Sequence, residues 1–151
     1  MSELNRRQHN VNILMYHIVC PAKYRRTVIS PEVDNTIREI CMEIEKRFEL
    51  KFLEIGMEEN HVHFLVQAIP TYSPSEIVQK IKSIIAREVF IQCPEVKKQL
   101  WGGEFWTKGY YVGTVGEHGD EKVITEYVKN QGRPIEAYKE VYSNPQLALF
   151  E

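Results

Sequence analysis

Residues 61–67 read His61-Val62-His63-Phe64-Leu65-Val66-Gln67. An apolar run of this length, rich in β-branched and aromatic residues, makes a strand, and successive side chains of a strand point to opposite faces. Val62, Phe64 and Val66 therefore share one face, and His61, His63 and Leu65 the other. The apolar triplet suits a face covered by helices. The two imidazoles stand on the opposite face, roughly 7 Å apart along the chain and close enough to share one metal ion. Two solvated or hydrogen-bonded histidines on a sheet surface fit the same pattern, so a third ligand has to decide between the two readings.

The neighbouring segments supply the rest of a sheet and its helices. Lys51 to Met57 is a second apolar run, split from the first by Glu58-Glu59-Asn60, and the pair predicts an antiparallel hairpin. Asn10 to Val19, rich in Val, Ile and Tyr, predicts another strand. Between them Ser30-Pro31-Glu32 is a helix start: a hydroxyl cap, proline at the first position and an acid in the first turn. Val33, Ile37, Ile40, Ile44 and Phe48 then recur on one helical face. Ser73 and Glu76 form a capping box, followed by a helix burying Ile77, Ile81, Ile84 and Ile85 and ending at Cys93-Pro94.

Phe105 to Val115 predicts a fourth strand, and Asp120 to Asn130 a third helix closed by Gly132. Gly113, Gly116 and Gly119 precede that helix, as a hinge or as simple loop punctuation. The order β-α-β-β-α-β is the ferredoxin-like (RRM-like) arrangement of an α+β protein. Its single antiparallel sheet carries both helices on one face and leaves the other open. That topology serves many functions, so function must come from the site.

Composition excludes several classes. The 151 residues are 43% hydrophobic and 26% charged, which rules out disordered and collagen-like chains. No apolar stretch approaches the ~18–20 residues of a membrane span. The polar start Met1-Ser2-Glu3-Leu4-Asn5-Arg6-Arg7 has no apolar segment of a secretory signal, and three scattered cysteines suit a reducing compartment. A cytoplasmic protein without a membrane partner is expected. The net charge of −2 names no partner, but residues 1–30 hold five basic groups against one acidic, while residues 31–60 hold four against nine. A polyanion would have to bind a local basic surface.

The predicted third helix offers the missing ligand. Tyr127 and Gln131 are four residues apart and share one helical face. Gln131 can give a carbonyl oxygen to a metal, and Tyr127 a phenolic oxygen as nucleophile. Val123, Ile124, Tyr127 and Val128 also make a plausible buried face, on which a tyrosine is simply core.

Four ordered blocks then make the chain recognisable. They are Tyr16-His17-Ile18-Val19 followed by Lys23-Tyr24-Arg25-Arg26; Glu59-Asn60-His61-Val62-His63-Phe64-Leu65-Val66; Leu100-Trp101-Gly102-Gly103-Glu104-Phe105-Trp106 leading to Tyr110-Tyr111-Val112; and Ile124-Thr125-Glu126-Tyr127-Val128-Lys129-Asn130-Gln131. With these the sequence resembles the HUH single-tyrosine transposases of the IS200/IS605 insertion-sequence family. One departure is Cys20-Pro21-Ala22, where relatives commonly carry an aromatic-cysteine pair.

The resemblance implies a DNA transposase that cleaves and rejoins single-stranded DNA at insertion-sequence ends. Tyr127 would attack the scissile phosphodiester, leaving a 5′-phosphotyrosine link and a free 3′-OH. His61, His63 and Gln131 would hold one divalent ion, Mg²⁺ or Mn²⁺. Homodimers with active sites shared between subunits, and subterminal DNA hairpins as ligands, are implied as well. So is a division of the single domain into a core, residues 1–115, and a mobile tyrosine helix and tail, residues 116–151.

Lys23-Tyr24-Arg25-Arg26 combines cations with a ring, as single-strand binders do, and Arg6-Arg7, Lys97-Lys98 and Lys108 could extend it. An ordinary solvated loop has the same composition. His17 and His118 fall outside the matched ligand positions and read as structural or surface histidines. Two alternatives stand beside the transposase: a host tyrosine nuclease of the same type that processes repeats, and a non-catalytic single-strand binding module. A metal-responsive regulator would want more His or Cys ligands than the sequence offers.

Overall fold

The computed structural model describes residues 5–7, 10–12, 14–100 and 102–115. A short antiparallel pair comes first, β1 (Asn5–Arg7) with β2 (Asn10–Asn12). The main sheet is built from β3 (Leu14–Pro21), β4 (Lys51–Glu58), β5 (His61–Ala68) and β6 (Tyr111–Val115). Its order is β4-β5-β3-β6 and all neighbours are antiparallel. Helix α1 (Pro31–Arg47) joins β3 to β4, while α2 (Pro74–Gln92) and the short α3 (Pro94–Gln99) join β5 to β6. The α+β class read from the sequence is therefore present.

Local chemistry sets the helix boundaries as expected. Ser30 Oγ accepts a hydrogen bond from Val33 N at 3.3 Å, and Pro31 occupies the first turn. At α2 the capping box closes in both directions, Glu76 N to Ser73 Oγ at 3.1 Å and Ser73 N to Glu76 Oε1 at 3.2 Å. A box of this kind satisfies two backbone donors that a helix start otherwise leaves unpaired. Pro94 ends α2 and opens α3.

Both long helices cover the same sheet face. Tyr16, Ile18 and Cys20 of β3 and Val62, Phe64 and Val66 of β5 join Val33, Ile37, Ile40, Ile44, Ile77, Ile81 and Ile85 in one core. Strand β4 contributes Phe52, Ile55 and Met57, a spacing that strict alternation would scatter over two faces. A register shift between Phe52 and Glu54 brings all three to the helix side, the ordinary effect of one extra residue in a strand. Cys20, Cys41 and Cys93 are free and buried. Among the described residues no helix is long and apolar enough to cross a membrane.

Three expectations need correction. The first strand, expected over Asn10 to Val19, is divided between two sheets: residues 10–12 pair with β1, while β3 lies in the main sheet and runs on to Pro21. The fourth strand starts at Tyr111 instead of Phe105, because the aromatic run before it is spent on anchoring. Phe105 and Trp106 are buried edge-to-face, and the Trp106 indole Nε1 donates to the Lys82 carbonyl at 3.0 Å. Finally, the second sheet face is not open. Met15, Val19, Leu65, Gln67, His61 and His63 are all buried. Apolar side chains alternate with the histidines there, and such a surface gains by leaving water.

Gly113, which falls both within the expected fourth strand and in the expected permissive connection, is a strand residue of β6 paired with His17. The predicted third helix, with Tyr127 and Gln131, and also Gly116, Gly119, His118 and Trp101, lie outside the described residues.

Candidate functional site

The β4–β5 hairpin puts His61 at the first position of β5, with His63 two residues on and on the same face. Strand β3 brings a third imidazole to them. His17 pairs directly with Leu65, and Val19 with His63, so His17 and His63 are diagonal neighbours across the ladder. Their nitrogens meet, His17 Nε2 and His63 Nδ1 at 3.1 Å, with ring centroids 5.2 Å apart. The rings of His61 and His63 lie 5.4 Å apart. On the far side of the row, His61 Nδ1 donates to Asn60 Oδ1 at 2.6 Å.

Burial decides the charge of this row. It lowers His17 from 6.5 to about 4 and His61 likewise to about 4, the latter helped by the positive charge of Arg25. His63 is pushed well below its ordinary value by burial first, then by its two histidine neighbours. At neutral pH all three are uncharged imidazoles, the form that coordinates a cation. Two such ligands on one strand suit a divalent ion, and mixed imidazole and oxygen ligation suits Mn²⁺ at least as well as Mg²⁺. The donor set therefore fits the expected metal.

Sequence reasoning treated His17 as unrelated to the pair. Its parity in β3 shows which face it occupies, but only the register of β3 on β5 brings it to His63. A different group, Glu32, Cys93 and Glu95, brings three potential ligand atoms within 4.8 Å of one another. It lies on the helix side of the sheet, with two exposed carboxylates and a buried thiol, away from the histidine row.

The basic segment follows directly from β3. Lys23–Arg25 is one 3-10 turn, pinned by Ala22 N to Asn60 O, Lys23 N to Phe105 O and Arg25 N to Ala22 O, each at 2.8 Å. Lys23 Nζ also reaches Glu104 Oε2 at 2.6 Å, and this bond raises the lysine's pKa. Tyr24 and Arg25 have φ of 56° and 53°, a left-handed pair without glycine. That backbone costs roughly 1–3 kcal/mol per residue and persists only where surroundings enforce it. It splits the four side chains: Tyr24 is 67% exposed, with Lys23 and Arg26 at 5.2 and 6.0 Å from its ring centre, whereas Arg25 is half-buried and its charge acts on His61.

Comparison with known proteins identifies the family. Residues 10–131 match the family model described as "Transposase IS200 like". The chain is 30% identical over 129 residues to the ISDra2 transposase TnpA of Deinococcus radiodurans, covering 85% of this chain and 91% of that one. It is 30% identical over 116 residues to the transposase for insertion sequence element IS200 of Salmonella typhimurium, covering 77% and 75%. Among solved structures, a crystal structure of a Deinococcus radiodurans protein assigned as a transposase superposes with a TM-score of 0.69 at 31% identity, over 84% of this chain and 97% of that one. A REP-associated tyrosine transposase bound to a REP hairpin shares the fold, with a TM-score of 0.60 at 12% identity over 96% and 81%. With a family match over residues 10–131 and a relative 30% identical over 85% of its length, the chain belongs to the IS200/IS605 family of transposases.

Proposed function

We propose that this protein cleaves and rejoins single-stranded DNA at insertion-sequence ends through a covalent tyrosine intermediate. The observation that carries the reading is the pair of buried imidazoles, His61 and His63, on one face of β5 in a chain of this family. The Tyr127 oxygen attacks the scissile phosphorus, the bond to the 3′ oxygen breaks, and that oxygen leaves as a 3′-OH. In the second transfer a free 3′-OH attacks the 5′-phosphotyrosine, and Tyr127 is released with its proton restored. One phosphodiester is exchanged for another in each cycle, so no nucleotide triphosphate is consumed.

His61 and His63, with Gln131, would hold the divalent ion, Mg²⁺ or Mn²⁺. Such an ion stabilises negative charge on the non-bridging phosphate oxygens and favours the phenolate. The need is real: with a reference pKa near ~10, roughly one tyrosine in a thousand is ionised at neutral pH. The sheet order and one-sided helices are read as the ferredoxin-like arrangement, residues 1–115 as the core and 116–151 as the segment delivering the tyrosine. The protein acts in the cytoplasm as a homodimer with shared active sites, on strands carrying subterminal hairpins. The hairpin named with one structural neighbour supports that ligand class.

The test uses labelled single-stranded DNA carrying an element end, Mn²⁺, denaturation and a gel. A covalent protein–DNA band that disappears in Tyr127→Phe and with chelator is expected. Salt-sensitive binding with no covalent band would leave a non-catalytic single-strand binding module.

A further inference from the structure

The transfer chemistry gives His61 and His63 a task and leaves His17 without one. An imidazole binds a cation through the lone pair of one nitrogen, and its proton then sits on the other. Whatever hydrogen-bonds to that second nitrogen fixes the choice. For His61 the partner is Asn60 Oδ1, which can only accept, so Nδ1 carries the proton. For His63 the partner at Nδ1 is His17 Nε2. That nitrogen accepts only when His17 holds its own proton on Nδ1.

We infer that His17 is a positioning residue: by accepting from Nδ1–H of His63 it fixes the tautomer whose Nε2 lone pair binds the divalent ion. The inference rests on the proposed role of His61 and His63 as ligands. His17 is well held for the task. The Tyr111 ring meets it edge-on at 6.0 Å between centroids and 76° between planes. Gly113, the direct strand partner of His17, makes room for that ring, since a Cβ there would lie 2.6 Å from the Tyr111 hydroxyl. Ligation of the ion by His17 Nε2 itself would break the contact with His63.

Two measurements on the full chain decide the matter. Long-range ¹H–¹⁵N correlation spectra of the metal-free protein report the tautomer of His63 directly. Wild type should show the Nδ1–H form, and His17→Leu a mixture or the Nε2–H form. Mn²⁺ titration followed by electron paramagnetic resonance should show affinity falling about 10–100-fold in His17→Leu. His17→Gln, whose Oε1 accepts, should recover most of the loss. A wild-type His63 in the Nε2–H form overturns the inference without any variant, which covers a His17→Leu that fails to fold. Unchanged tautomer and affinity in a folded His17→Leu, with Mn²⁺ binding lost in His63→Ala, overturns this inference alone. Mn²⁺ affinity indifferent to His63→Ala overturns the ligand reading and this inference with it.

Discussion

Asn60 Oδ1 lies 2.6 Å from Nδ1 of His61, its neighbour in the turn that closes the β4–β5 hairpin. The same residue accepts from Ala22 N through its main-chain oxygen, tying the turn to the end of β3. One side chain therefore aims a candidate ligand while its backbone fixes the strand that carries the basic segment. Asn60→Ala keeps the backbone bond and loses the side-chain one. Metal affinity, read by Mn²⁺ titration, should fall by about tenfold or more. Asn60→Asp retains an acceptor and should fall less. Equal affinity in all three proteins would mean that the contact orients nothing of consequence.

Removing the imidazoles themselves separates cutting from holding. In His61→Ala or His63→Ala, cleavage of single-stranded element ends should drop to background. Binding of a hairpin should persist, because the exposed side chains of Tyr24 and Arg26 lie at the 3-10 turn and not on the buried row. Gel shift and cleavage assays on one preparation measure both. A folded variant that loses hairpin binding as completely as cleavage would contradict the division.

Protonation gives a stability test that needs no DNA. His17 and His61 are held at about 4 in the folded chain against 6.5 when unfolded, chiefly by burial. As pH falls below 6.5 the unfolded chain takes up protons that the folded one refuses. The stability these residues confer is complete above 6.5 and is lost progressively towards pH 4. The slope is at most about 1.4 kcal/mol per pH unit for each histidine. Urea midpoints should therefore fall between pH 7 and pH 5, before most carboxylates titrate, and the fall should be shallower in His61→Gln. A flat wild-type profile in that window would mean that the imidazoles are solvated.

The sequence made the local parts of this structure legible and hid the long-range ones. Ser30-Pro31 and the Ser73–Glu76 box are decided within a single turn, so both helix starts lie where the residues put them. Alternation in β5 assigned Phe64 to the core and His63 to the other face correctly, since parity is a property of one strand. Which residue of β3 meets His63 depends on register across 46 positions, and His17 was missed for that reason. Parity also says nothing about cover, hence the expected open face that is in fact buried. Phe105 to Tyr110 has strand-like composition, yet Trp106 is fixed through its indole to the Lys82 carbonyl, a contact no local pattern announces. Lys82 returns the interaction, donating through Nζ to the Thr107 carbonyl at 2.8 Å.

Tyr24 offers the sharpest separation of stability from function. Its ring is exposed between two cations, the arrangement on which an unpaired base stacks, while its backbone is held at a φ of 56°. Glycine adopts that conformation without a Cβ penalty. Tyr24→Gly should therefore leave the chain as stable as wild type or more so, while weakening single-strand binding by about 1–3 kcal/mol, the usual worth of one stacked base. Tyr24→Phe should keep most of the affinity. Charge can be dissected in the same way. Arg26→Ala should lower the slope of log affinity against log salt by about 0.7, one phosphate contact on a single strand. Glu104→Gln releases Lys23 from its 2.6 Å ion pair and should raise affinity at low salt. Thermal melts beside fluorescence anisotropy over a salt series read all four variants. If Tyr24→Gly lost stability and kept its affinity, the ring would be a packing residue, and the strand would have to be held elsewhere.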